Sequence, residues 1–156
     1  MTQLIMALAT GLYVGKLRLM PETCGSLVAL LPWLFIKDLP LSSYLPVLGA
    51  FFILGFFVSG SAEKILDDPD SECIVIDEFL GIFITLTAAP PHLAAWFIGL
   101  ILFRIFDIFK PFPVSWIHRR IHGGIGIMMD DVIAGIYALI SLQVIWWGIV
   151  NPFFLS

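Results

Sequence analysis

A chain of 156 residues that is 60% hydrophobic and 13% charged, with mean hydropathy +1.01, is too apolar for an ordinary soluble domain. It reads as one small integral membrane domain over 1–156. A net charge of −4 and a pI near 5.1 leave no basic face for nucleic acid. Cys24 and Cys73 match no metal or redox spacing and are read as small packing residues.

In chain order, "MTQLIMALATGLYVGK" has its first basic residue, Lys16, after the apolar stretch, unlike a secretory leader, so it is expected to be mature sequence. Residues 4–14 predict an interfacial or packed helix. A spanning helix needs about 20 mostly apolar residues. The run 24–36 is shorter and contains Pro32, which suits a short span or a re-entrant piece. Residues 41–60 are a full span, and "SAEKILDDPDSE", 61–72, is the longest polar linker. Residues 73–89 are marginal in length and carry Asp77 and Glu78, whereas 92–109 and 128–150 are full spans. The expected fold is an all-α integral membrane protein, a compact bundle of about four to five transmembrane helices plus the N-terminal interfacial helix.

Basic residues orient such a bundle, because short cytoplasmic loops are enriched in Lys and Arg. If five segments cross, Lys16, Arg18, Lys64, Lys110, Arg119 and Arg120 share one side, expected to be cytoplasmic, and Lys37 lies opposite. The same threading puts every acid except Asp38 at or near that side, Asp70 of the linker included.

An acid at the centre of a lipid-exposed helix costs about 2.5 to 3.5 kcal/mol, so Asp77, Glu78, Asp107, Asp130 and Asp131 must lie near helix ends, face the bundle interior or hold a cation. Asp77 and Glu78 fall in the first turns of one helix, and Asp130 and Asp131 in the first turn of another. The helix dipole favours acids there. Asp107 falls in a last turn, where the dipole opposes it. Asp77 and Gly81 are i, i+4, as are Asp131 and Gly135, so each acid shares a helix face with a glycine. Small residues let membrane helices approach closely, so the two acid-bearing faces are expected to pack together.

Carboxylates that converge without counter-charge suit a hard divalent ion such as Mg²⁺, which keeps several waters and shares a substrate phosphate. Arg104, inside an apolar segment, reads as paired or functional. Lys110, His118, Arg119, Arg120 and His122 lie nearby in sequence and could also serve a phosphate. For Lys110, Arg119 and Arg120 ordinary positive-inside placement is an equal explanation. Pro21, Thr23 and Ser26 resemble a helix start, where backbone N–H groups bind anions or simply take a cap.

At "IVIDEFLGIFITL" and "FRIFDIFKPFPVSWIHRRIHGGIGIMMDDVIAGI" the sequence resembles the phosphatidylglycerophosphatase A family, through D-E-x-x-G, F-R-x-x-D-x-x-K-P-x-P and G-x-G-I-M-x-D-D-x-x-A-G. A weaker match at "GLYVGKLRLMPETCGSL" corresponds to a P-G-T-x-G-S-L ending, with Glu22 where that pattern has glycine. The resemblance implies Mg²⁺-dependent removal of the terminal phosphate from phosphatidylglycerophosphate at the cytoplasmic face of the bacterial inner membrane, with the lipid and the bilayer as partners. It carries acidic site roles to Asp77, Glu78, Asp107, Asp130 and Asp131, and basic ones to Arg104 and Lys110, with Arg119, Arg120 and His122 in a looser part of the pattern. The expected metal ligands are Asp77, Glu78, Asp130 and Asp131. Asp77, Glu78, Asp107 and Asp131 are the expected catalytic acids. Arg104, Lys110, Arg119, His122, Thr23 and Ser26 are the expected phosphate contacts.

Two other classes fit the composition. A CDP-alcohol phosphotransferase also uses Mg²⁺ and membrane-edge aspartates, but its D-x-x-D-G-x-x-A-R pattern is missing from the sequence. A divalent-cation transporter would place its ion near the midplane, whereas these acids gather at one side.

Overall fold

The computed structural model describes residues 2–17, 20–68 and 71–150, so Arg18 and Asp70 of the orientation argument lie outside the described residues. Among the described residues the chain is all helical. The helices are α1 (Thr2–Ala9), α2 (Pro21–Ile36), α3 (Leu41–Leu66), α4 (Ile76–Thr85), α5 (Leu93–Phe109), α6 (Val114–Arg120) and α7 (Gly124–Ile145). A 3-10 turn covers Val14–Lys16, and α7 continues into a π-helical stretch, Trp146–Val150.

Two helices are long and apolar enough to cross a membrane, Leu41–Leu66 and the continuous Gly124–Val150, with mean hydropathy 2.0 and 1.9. The marginal segment 73–89 forms only the ten-residue α4. At 1.5 Å per residue that is about 15 Å, too short to cross a hydrocarbon core about 30 Å thick. Its role is central packing: Ile76, Leu80, Ile82 and Phe83 are all buried, because α2, α3, α5 and α7 surround it. Beyond its acidic first turn the helix is apolar almost all round, and such a helix belongs inside.

Two other boundaries differ from expectation. The first half of the polar linker is helical, since α3 runs on to Leu66 and buries Ala62 on the way. Likewise α7 starts at Gly124 rather than Met128, because Gly124 lies against the backbone of α3, where a Cβ would meet the Phe56 carbonyl oxygen at 2.3 Å. α2 starts with Pro21 as its first residue, as the helix-start signal predicts, but its N-cap residue is Met20 and no side chain caps it.

Helix direction assembles the site. Glu22 at the start of α2, Ser71 after α3, Asp77 at the start of α4, Asp107 at the end of α5 and Asp131 near the start of α7 line one cavity. The exposed Lys37–Asp38 ion pair lies beyond the opposite end of α2. The two acid-bearing helices, α4 and α7, are in close contact: a Cβ on Gly135 would stand 2.8 Å from the Gly81 carbonyl oxygen. Thr85 Oγ1 fastens the crossing by donating to the carbonyls of Gly81 and Gly135, at 2.8 and 3.4 Å.

Candidate active site

Asp77 and Glu78 sit in the first turn of α4, as expected, and Asp107 in the last turn of α5. Because α7 begins at Gly124, Asp130 and Asp131 are its seventh and eighth residues rather than first-turn acids. The dipole therefore does not account for them, since its effect fades within the first turn. Glu78, Asp107, Asp130 and Asp131 are 3%, 8%, 5% and 4% exposed, a concentration of buried carboxylates that demands counter-charge or a cation.

Part of that demand is met by Arg104. Its Nη1 donates to Glu78 Oε1 at 2.7 Å and to Asp107 Oδ2 at 2.8 Å, while Nη2 donates to Glu22 Oε2 at 3.0 Å. Glu22, Glu78 and Asp107 bring oxygens within 4.8 Å of one another, close enough to suggest a metal trio. The guanidinium already fills that role, its planar fork suited to several carboxylates at once. The other Glu78 oxygen accepts a short hydrogen bond from the buried Ser26 hydroxyl.

A second charged group surrounds Asp130. Lys110 Nζ donates to Asp130 Oδ2 at 3.1 Å, and His118 Nδ1 lies 2.6 Å from the same oxygen. Lys110 also lies 3.0 Å from His118 Nδ1, so the three side chains form one contact set.

Between these groups lies a cavity of about 60 Å³, lined almost entirely by polar atoms from residues that include Asp77, Asp130, Asp131, Lys110, Ser71 and Glu72. Buried carboxylate oxygens remain there without a hydrogen-bond partner: Asp77 Oδ1, Asp130 Oδ1 and Asp131 Oδ2. Unpaired buried carboxylate oxygens of this kind are costly unless they take up a proton or a cation. Oxygen donors in a small polar cavity fit Mg²⁺ or a similar hard ion, and the space admits a few waters beside it.

The expected residues separate accordingly. Asp77, Glu78, Asp107, Asp130, Asp131 and Lys110 are brought together at the cavity. Glu78, expected as a metal ligand, has its oxygens engaged by Arg104 and Ser26, and Arg104, expected at the phosphate, is engaged by carboxylates. Ser26 supports Glu78. Thr23 and Arg119 do not line the cavity, and exposed Arg119 donates to the Ser115 carbonyl of its own helix. His122 is exposed and borders an adjoining pocket with His118, Glu63 and Asp130.

Sequence reasoning gave no role to Glu22 and only grouped His118 with the basic run. A signal for Glu22 was available, because Glu22 and Ser26 are i, i+4 and share a face of α2. At its position Glu22 is helical and is not among the residues with positive φ, so replacing the pattern's glycine imposes no left-handed strain.

The family model of phosphatidylglycerophosphatase A matches residues 7–146. A phosphatidylglycerophosphatase A of Escherichia coli (strain K12) is 38% identical over 130 residues, covering 83% of this chain and 76% of the relative. One from Haemophilus influenzae is 36% identical over 143 residues, covering 90% and 88%. A third relative, from Bacteroides thetaiotaomicron, bears the provisional name phosphatidylinositol-3-phosphatase and is 35% identical over 150 residues, covering 91% and 93%. No solved structure matches the chain.

Proposed function

The chain belongs to the phosphatidylglycerophosphatase A family, and on that premise we propose that it is a Mg²⁺-dependent lipid phosphatase converting phosphatidylglycerophosphate to phosphatidylglycerol. The observation that carries this proposal is the set of unpartnered buried oxygens on Asp77, Asp130 and Asp131 beside Lys110. These aspartates would hold Mg²⁺, with Glu78 setting the register of α4 through Arg104. The ion would supply electrostatic stabilisation of the phosphoryl oxygens and a more acidic bound water.

The protein's own groups have separable tasks. Lys110 stands at the cavity to neutralise the phosphate as charge develops, a task for positioned electrostatics. Arg104 ties Glu78 to Asp107 by hydrogen bonds, so that α4 and α5 present their ends to one site. Water attacks phosphorus and loses a proton to a cavity carboxylate, the P–O bond to glycerol breaks, and the departing oxygen takes up a proton. Attack by water is preferred to an aspartyl-phosphate because the D-x-D-x-T nucleophile pattern is missing from the sequence.

The setting we propose is the bacterial cytoplasmic membrane, with the acidic end facing the cytoplasm. Two helices meet the length for crossing, and α2 and α5, with 16 and 17 residues, fall just below and at the lower limit of about 17. Large apolar side chains such as Phe35, Phe57, Ile101 and Val144 are 89%, 64%, 56% and 65% exposed on the outside of the bundle, a surface that suits lipid better than water. Lys110 lines the acidic cavity, and Lys64 stands in the last turn of α3, the end that leads to Ser71 of that cavity, so these basic residues gather at the acidic end, which by the positive-inside tendency is the cytoplasmic one.

The test is product formation. Purified protein in detergent with Mg²⁺ is expected to yield phosphatidylglycerol and phosphate in equal amounts from phosphatidylglycerophosphate. Intact substrate after prolonged incubation would overturn the proposal, and faster hydrolysis of phosphatidylinositol 3-phosphate would reassign the head group.

A further inference from the structure

An apolar groove of about 470 Å³ lies between α1, α2, α3 and α4, in the size range of ligand sites, about 300–1,000 Å³. Every residue in its wall is apolar or glycine, in contrast to the polar cavity nearby. The two spaces share helices. On α4, Ile76 and Phe79 line the groove while the intervening Asp77 and Glu78 line the cavity. On α2, Glu22 lines the cavity, and Val28, Leu31 and Ile36 follow along the groove.

Direction narrows the occupant. From Ile76 to Phe83 the groove follows α4 away from the acidic end for about 10 Å, and from Val28 to Ile36 it follows α2 the same way for about 12 Å. A hydrocarbon core about 30 Å thick gives each leaflet about 15 Å, so the groove runs from head-group level toward the bilayer middle. A lipid whose phosphate enters the acidic cavity has its chains pointing along that path.

We propose that this groove binds one acyl chain of the lipid whose phosphate is cleaved at the acidic cavity. The inference rests on the phosphatase proposal and adds a chain-recognition site to it. Chain binding makes catalysis depend on acyl length, since each buried methylene contributes about 0.8 kcal/mol, and two of them already amount to about tenfold.

The experiment compares kcat/KM for long-chain and dihexanoyl phosphatidylglycerophosphate in detergent, and crosslinks the wild-type protein to phosphatidylglycerol bearing a diazirine at one chain end. Leu31 is 60% exposed in the groove wall, so Leu31→Trp can narrow the groove without entering the core. That variant is expected to lower the long-chain to dihexanoyl ratio about tenfold. Ile101→Trp, on the outer surface and 56% exposed, is expected to leave the ratio unchanged. Crosslinks are expected at Phe51 and Phe83.

An unchanged ratio in Leu31→Trp, with crosslinks spread over Phe57 and Ile101, would overturn the groove assignment while phosphate release preserved the phosphatase proposal. Crosslinks at Phe51 and Phe83 without release from either lipid would instead remove the phosphatase proposal and keep the chain site. A Leu31→Cys variant that forms a disulfide with a second copy of the chain would show a protein occupant, and would also overturn it.

Discussion

Gly135 of α7 lies so close to Gly81 of α4 that a Cβ on Gly135 would stand 2.8 Å from the Gly81 carbonyl oxygen. The contact sits one helical turn beyond Asp131 and Asp77, so it sets the separation of the acid-bearing faces. Alanine at 135 gains about 1 kcal/mol of helix propensity, while overpacking against backbone costs about 1–3 kcal/mol. Gly135→Ala is therefore expected to lower thermal stability slightly and Gly135→Val clearly, with activity falling in the same order. A valine variant as stable and active as wild type would show that this crossing does not set the site.

Arg104 makes the second prediction. Its side chain is 12% exposed and donates to Glu78, which is almost fully buried, and to Asp107. Removing one partner of a buried charge pair typically costs about 3–5 kcal/mol. Arg104→Met is expected to destabilise the protein on that scale in detergent unfolding. Adding Glu78→Gln should recover part of the loss, because it removes a stranded charge. Arg104→Lys should recover only a little, since a single ammonium cannot reproduce the fork. Full additivity of the double variant would contradict the pairing.

Much of this arrangement was legible in the sequence, for physical reasons. The i, i+4 pairing of Asp77 with Gly81 and Asp131 with Gly135 foretold the α4–α7 contact, because helical periodicity fixes which side chains share a face. The position of Asp107 at the end of α5 marked it as unusual, and the fold explains it through Arg104, one turn earlier. Partner choice was not legible. Nothing in the spacing says that Arg104 takes Glu22 and Glu78 rather than a phosphate, since that depends on how α2, α4 and α5 converge. The start of α7 was missed because the apolar span was counted from Met128, whereas Gly124 extends the helix by packing against Phe56 and Gly60 of α3.

Glu22 offers a contrast with Arg104. Its carboxylate is 43% exposed, and pairs of that kind are worth about 1 kcal/mol or less. Glu22→Gln is expected to leave stability within about 1 kcal/mol of wild type, since Arg104 keeps Glu78 and Asp107. A loss as large as that of Arg104→Met would mean that Glu22 is an essential part of the cluster.

Cation binding can be read without turnover. A ligand at a hundred times its Kd stabilises the folded state by about 2.7 kcal/mol. Mg²⁺ is therefore expected to raise the Tm of the wild-type protein and of Glu22→Gln, but to have little effect on Asp77→Asn or Asp131→Asn. The opposite pattern, with only Glu22→Gln losing the response, would place the ion in the cluster now filled by Arg104.

The most direct test of the cation-dependent site is phosphate release from phosphatidylglycerophosphate by wild type, Asp77→Asn and Asp131→Asn at saturating Mg²⁺, with folding checked by thermal unfolding. Both folded variants are expected to lose at least about a hundredfold in kcat, the scale of one electrostatic catalytic group. Rates close to wild type in both variants would contradict the assignment of the buried carboxylates on α4 and α7 as the catalytic centre.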